Sequence, residues 1–175
     1  MENLIWAKTI LNVYSSIEKY ILKIDATIDN ISIMPEFSVD EVTTRIINLS
    51  DRKYSLINLK LIVETLIAKC KPKYLRLLSL RHIQGLTMEQ IAKHLEITER
   101  TCYRLYQNAI ENFVVNMKYY GYTGEWLYKN LRDEKWILHE FYKEYTKTEK
   151  INTYKKMGEE NLNIDFLNQF HSNLY

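Results

Sequence analysis

Arg100, Tyr103, Arg104 and Gln107 follow one another at spacings of three, one and three. On a helix this spacing gathers all four on one side. Their types suit one chemistry. An arginine fork bonds guanine O6 and N7 together, and a glutamine amide bonds adenine N6 and N7. A tyrosine reaches a phosphate or lies against a thymine methyl. Such a face is expected to read base edges in the major groove of double-stranded DNA, its N-terminal residues first. Arg81 with His82, Thr87, Lys93, His94, Thr98 and Thr101 stand nearby in sequence. They are candidates for phosphate contacts, which position a protein on the duplex without reading sequence. Any solvated helix carries such residues singly, so the inference depends on the elements that hold them.

Two capped helices are expected around the turn before Arg100. Thr87 and Gln90 form a capping box, in which each side chain satisfies a free backbone N–H of the other residue. Ile91, Ala92 and Leu95 make the buried face of the short helix that follows. The turn is Glu96-Ile97-Thr98, with Ile97 inward. Thr98 caps the second helix and Glu99 places negative charge on its positive end. Cys102, Leu105, Ala109, Ile110 and Phe113 recur as that helix's apolar stripe. Ala92 is small where the two helices must cross. Together these make a helix-turn-helix pattern. A further apolar helix, Tyr74 to Ile83, precedes it. Lys71-Pro72 opens this helix and Gly85 stops it.

The stretch Tyr74 to Phe113, YLRLLSLRHIQGLTMEQIAKHLEITERTCYRLYQNAIENF, resembles region 4 of bacterial sigma-70 factors. The likeness runs through Glu89, Ile91, Ala92, Leu95, Ile97, Thr101, Leu105 and Ala109. The arrangement is also similar to phage-encoded late-operon regulators of the RinA and ArpU type. The resemblance implies a standalone promoter-recognition module that works with RNA polymerase core. The promoter-melting part of a sigma factor has no counterpart in these residues, which favours a recruiter or regulator over a full sigma factor. Glu96 stands where relatives commonly carry glycine, so a positive φ there would be strained.

An all-α chain is expected around this module, with residues 1–70 as an antiparallel helical hairpin, 71–118 as the DNA-binding domain and 119–175 as an aromatic-rich helical extension. Ile10, Tyr14, Ile17, Ile21, Ile24, Ile28 and Ile31 form a seven-residue repeat, the seam of a helix lying along a partner helix. Met34-Pro35 stops it, and Ser38 with Glu41 caps the next helix. Val42, Ile46, Leu49, Leu56, Val63 and Ile67 form that helix's stripe, interrupted by Lys53 and Lys60, while Ile57 and Leu61 widen it. The partner for the first seam is either this second helix or another copy in a coiled-coil homodimer. Trp126, Leu127, Leu131, Leu138, Phe141, Tyr142 and Tyr145 predict one more amphipathic helix, with Trp126 and Trp136 packing inward. Lys147 to Glu160 reads as exposed, and Ile164, Phe166, Leu167 and Phe170 as a last docked helix.

Net charge is +2 over 175 residues, but its distribution is uneven. Residues 71–118 hold eight Lys and Arg against four Asp and Glu, for +4; the flanking parts hold eight against nine each, for −1 each. A local basic excess is what approach to a polyanion requires. With four glycines no phosphate-cradling loop is available, and the four histidines are scattered. The reading is therefore no enzyme, no cofactor and no metal. Cys70 and Cys102 read as core residues of a reducing cytoplasm. No apolar run of membrane-spanning length occurs. Two other functions fit the pattern: an interaction protein that binds polymerase or itself through its helices, and a DNA-packaging subunit of small-terminase type.

Overall fold

The computed structural model describes residues 2–32 and 37–156. They form an all-α fold, and no strand occurs among the described residues. The helices are α1 (Glu2–Ser32), α2 (Val39–Ala68), α3 (Pro72–Leu78), α4 (Met88–His94), α5 (Glu99–Tyr119), α6 (Gly124–Leu131) and α7 (Lys135–Lys156), with a π turn at Ser79–Ile83 between α3 and α4. One buried cluster takes side chains from all seven.

α1 and α2 lie antiparallel. Asp25 pairs with Lys53, Glu18 with Lys60, and Tyr14 donates to Glu64, so numbers fall along one helix as they rise along the other. These pairs explain the lysines that interrupt α2's apolar stripe: each meets a carboxylate of α1. The capping box at Ser38 and Glu41 starts α2 as expected. Ile10, Ile17, Ile24 and Ile31 are buried within the chain itself. The first seam thus packs against α2 within the chain, and this packing supports the hairpin rather than a coiled coil between copies. Leu61 corrects a second expectation: it faces solvent at 55% exposure and does not widen the buried face.

α1 is the central rod. Ile5, Trp6, Ala7, Ile10 and Leu11 are almost wholly buried because α2, α5, α6 and α7 all pack around it. Trp6 lies 4.4 Å from the Phe141 ring of α7, and Tyr20 stacks on Trp136 at 4.0 Å. Gly124 opens α6 against α1, where a Cβ would come within 2.9 Å of Trp6 Cδ1 and of Glu2 Oε1.

The single C-terminal helix expected from the aromatic spacing is two helices. The chain breaks over 132–134 and turns Glu134 inward, to 4% exposure. A buried carboxylate needs a cation and donors. Arg52 supplies a bidentate grip at 2.8 and 3.1 Å, and the Trp136 indole donates at 3.0 Å. Trp136 packs inward; Trp126 stays at the surface, 36% exposed, edge-on to Tyr122. Residues Ile164, Phe166, Leu167 and Phe170 lie outside the described residues.

Candidate nucleic-acid interface

α4 and α5 are positioned by the caps that the threonines promise. Thr87 Oγ1 accepts from the Gln90 amide at 3.2 Å and Gln90 Oε1 accepts from the Thr87 amide at 2.8 Å. Thr98 Oγ1 accepts from the Thr101 amide at 3.3 Å, which starts α5. Between the helices Glu96 takes φ +55, the left-handed conformation that glycine adopts without strain. The Ile97 amide then returns to the Ala92 carbonyl at 3.0 Å and its side chain packs against the core. This turn fixes the direction in which α5 leaves α4.

Cys102, Ala109, Ile110, Phe113 and Met117 face inward along α5 and are buried. At about 100° per residue, that orientation aims the opposite side outward. Arg100, Tyr103, Arg104 and Gln107 are all exposed there, Tyr103 at 52%. None of the four makes a side-chain hydrogen bond or ion pair among the described residues. Glu111 falls on the same face one turn beyond Gln107, and it is exposed too. A carboxylate there repels phosphate, so the face favourable to DNA is confined to the first turns of α5.

The flanking candidates divide. Lys93 is exposed but paired with Glu89 at 2.8 Å. The pairing raises the lysine's pKa and lowers the glutamate's. His94 is exposed, and its Nε2 lies 3.4 Å from Arg76 Nη2. Arg76, on α3, was not singled out from the sequence; eighteen residues separate it from His94, and no local pattern links them. Arg81 is half-buried and donates to the Leu86 carbonyl at 2.8 Å, which braces the loop after Gly85. Thr98 also donates its hydroxyl hydrogen to Thr101 Oγ1 at 3.0 Å, leaving the hydroxyls of Thr87 and Thr101 as the two with a hydrogen to offer.

His82 corrects an expectation. It does not reach toward a phosphate: it is 7% exposed, with Nε2 3.0 Å from the Tyr106 hydroxyl of α5. Burial, with the nearby Arg81 charge, lowers its pKa to about 4, against a smaller opposing effect of the Leu11 carbonyl. Burial raises the Tyr106 phenol to about 12. Both are neutral near pH 7 and form a polar pin beneath the exposed face. The π turn carries His82 on its inner side.

The family model for ECF sigma factors matches residues 23–118. The chain belongs to the ECF sigma factor family. The match begins in the last third of α1 and ends within the final turn of α5, so it spans α2, α3, the π turn, α4 and all but the last residue of α5. No curated protein and no solved structure matches the chain. Membership makes the chain a sigma-like, DNA-binding regulator associated with RNA polymerase. α6 and α7 lie outside the matched span. Among the described residues, no helix is long and apolar enough to cross a membrane.

Proposed function

We propose that this ECF-family chain is a standalone, sequence-specific transcription regulator of the cytoplasm, resembling an isolated sigma region 4 of the phage late-operon type. It acts with RNA polymerase core and needs neither cofactor nor catalysis of its own. The observation that carries this reading is the pair of exposed guanidinium groups, Arg100 and Arg104, which have no partner among the described residues and stand on the first turns of α5 beside Tyr103 and Gln107. A free planar fork is ready for a bidentate bond with guanine, whereas a paired one must first break its ion pair.

In this reading the start of α5 enters the major groove. Arg100 and Arg104 read guanines, Gln107 reads adenine, and Tyr103 lies against a thymine methyl or a phosphate. Glu111 keeps the C-terminal half of α5 tilted away from the phosphates. Lys93, His94 and Arg76 meet the backbone beside the groove. Arg81 and the caps Thr87 and Thr98 hold the frame, and Thr87 and Thr101 retain a hydroxyl hydrogen for phosphate oxygens.

Selection from random duplexes at fixed salt, with and without core polymerase, tests the proposal. The expected result is one enriched motif that polymerase strengthens. A pool that stays random in both arms, with the fold intact, overturns it.

A further inference from the structure

α2 carries a second apolar line that none of the described residues covers. Ile47, Tyr54 and Leu61 are 55%, 66% and 55% exposed, although Leu56, Leu59, Val63, Leu66 and Ile67 on α2's other side are buried. They recur at intervals of seven, and the same register continues to Asp40 before them and Ala68 after. Scattered surface apolar residues are ordinary. Three large ones in strict heptad register, centred opposite the buried stripe of a 30-residue helix, form the seam that a partner helix reads.

The pattern is symmetric about Tyr54, with one large aliphatic residue seven positions away on each side. A two-fold interface requires this self-complementarity, since residue i must meet j while j meets i. Charge selects the direction. Asp40 stands in the first turn of α2 and Lys69 caps its end, both exposed and without an ion-pair partner among the described residues. Antiparallel pairing about Tyr54 brings each helix's acidic start to the other's basic end and opposes their dipoles. Parallel pairing would set Asp40 on Asp40 and Lys69 on Lys69.

A groove beside the line fits the same arrangement. A cavity of about 350 Å³ opens between α2 and α6, bordered by Leu61, Ile62, Thr65, Tyr122 and Trp126. In the antiparallel register the neighbour of Leu61 is Ile47 of the second copy, an aliphatic side chain delivered to an aromatic-walled groove. We propose that two copies of this chain pair antiparallel through α2, along Ile47, Tyr54 and Leu61, with the two-fold axis at Tyr54. The two-fold axis also relates the two α5 helices. It stands independently of the DNA-binding reading.

Sedimentation equilibrium of the full chain, from micromolar to sub-millimolar concentration, tests the state. The wild type should give twice the chain mass. Tyr54→Glu, which sets two like charges together on the axis, should halve that mass while far-ultraviolet dichroism keeps its helical signal. Cysteine pairs test direction, because Cys70 and Cys102 are buried. Tyr54→Cys alone should cross-link, as should Ile47→Cys mixed with Leu61→Cys, whereas Ile47→Cys alone should not. A monomeric wild type, a dimer that survives Tyr54→Glu, or ready cross-linking of Ile47→Cys alone would each overturn the proposal. The first of these outcomes would leave the line to a helix of another protein.

Discussion

Two regions of this molecule handle charge in opposite ways. Where the long helices meet, several cations are held: Arg52 by Glu134, Lys53 by Asp25 and Lys60 by Glu18. On the outer face of α5, Arg100 and Arg104 meet no carboxylate among the described residues. The first region lies largely where helices must be fixed against one another, and there a paired charge avoids burial without a partner. The second presents charge to solvent, where only a ligand brought from outside can pair it. The difference separates what builds the molecule from what it offers.

The comparison can be broken most severely in the core that supports both regions. Phe113, wholly buried on α5, should cost about 3–5 kcal/mol when replaced by alanine. Thermal unfolding reads this loss, and DNA affinity should fall with it because the face loses its support. A smaller loss would mean that α5 is not seated as described.

Acid probes the pin beneath the face. His82 has a pKa near 4 in the folded chain and an ordinary value of 6.5 when unfolded. Its folded value is depressed, so the unfolded state binds the proton first. Stability is therefore full above pH 6.5 and is lost as pH falls through the window from 6.5 to 4. The expected size is a few kcal/mol. Melting temperatures of the wild type and His82→Gln across that window measure it, and equal slopes for the two would remove the pin.

The free face should respond differently. Arg104→Ala should leave the melting temperature unchanged and cost about 1–3 kcal/mol on the preferred site, relaxing preference at one base pair. Lys93→Ala should weaken binding to every sequence alike and lower the salt slope by about 1. If both variants behave identically, the division between reading and positioning residues fails.

The turn gives the smallest effect and the opposite sign. Glu96 holds φ +55, which costs a non-glycine residue about 1–2 kcal/mol. Glu96→Gly should recover part of that, up to about 1 kcal/mol, after the entropy of the freer unfolded chain is subtracted. Calorimetry should show a higher melting temperature, and an unchanged or lower one contradicts the strain.

Local signals were the ones legible in the sequence. The caps at Ser38, Thr87 and Thr98 and the stop at Gly85 follow from residues within a few positions of one another, whereas the left-handed Glu96 is signalled only by the resemblance to proteins that carry glycine there. The outward aim of Arg100, Tyr103, Arg104 and Gln107 follows from the period of the inward stripe. What escaped was long-range or unpunctuated. The break between α6 and α7 has neither glycine nor proline, and it forms because Glu134 finds Arg52, eighty-two residues away. Arg76 meets His94 only after α3 and α4 fold together. His82 turns inward because a π turn, which no residue type announces, rotates it there. Leu61 faces solvent against expectation because apolar character alone does not distinguish a buried stripe from an exposed one.

The π turn has a consequence for insertions and deletions. It is a helical stretch holding one residue more than an α-helix of the same rise would need. Removing Ser79 would let the stretch close as ordinary α-helix of the same rise, so the α4–α5 pair beyond it would keep nearly its present aim. Only the residues within the turn would change the side they face, and the contact at risk is the one between His82 and Tyr106. A one-residue change of length between Ser79 and Ile83 is therefore absorbed locally, whereas the same change inside α5 would turn everything after it by about 100°.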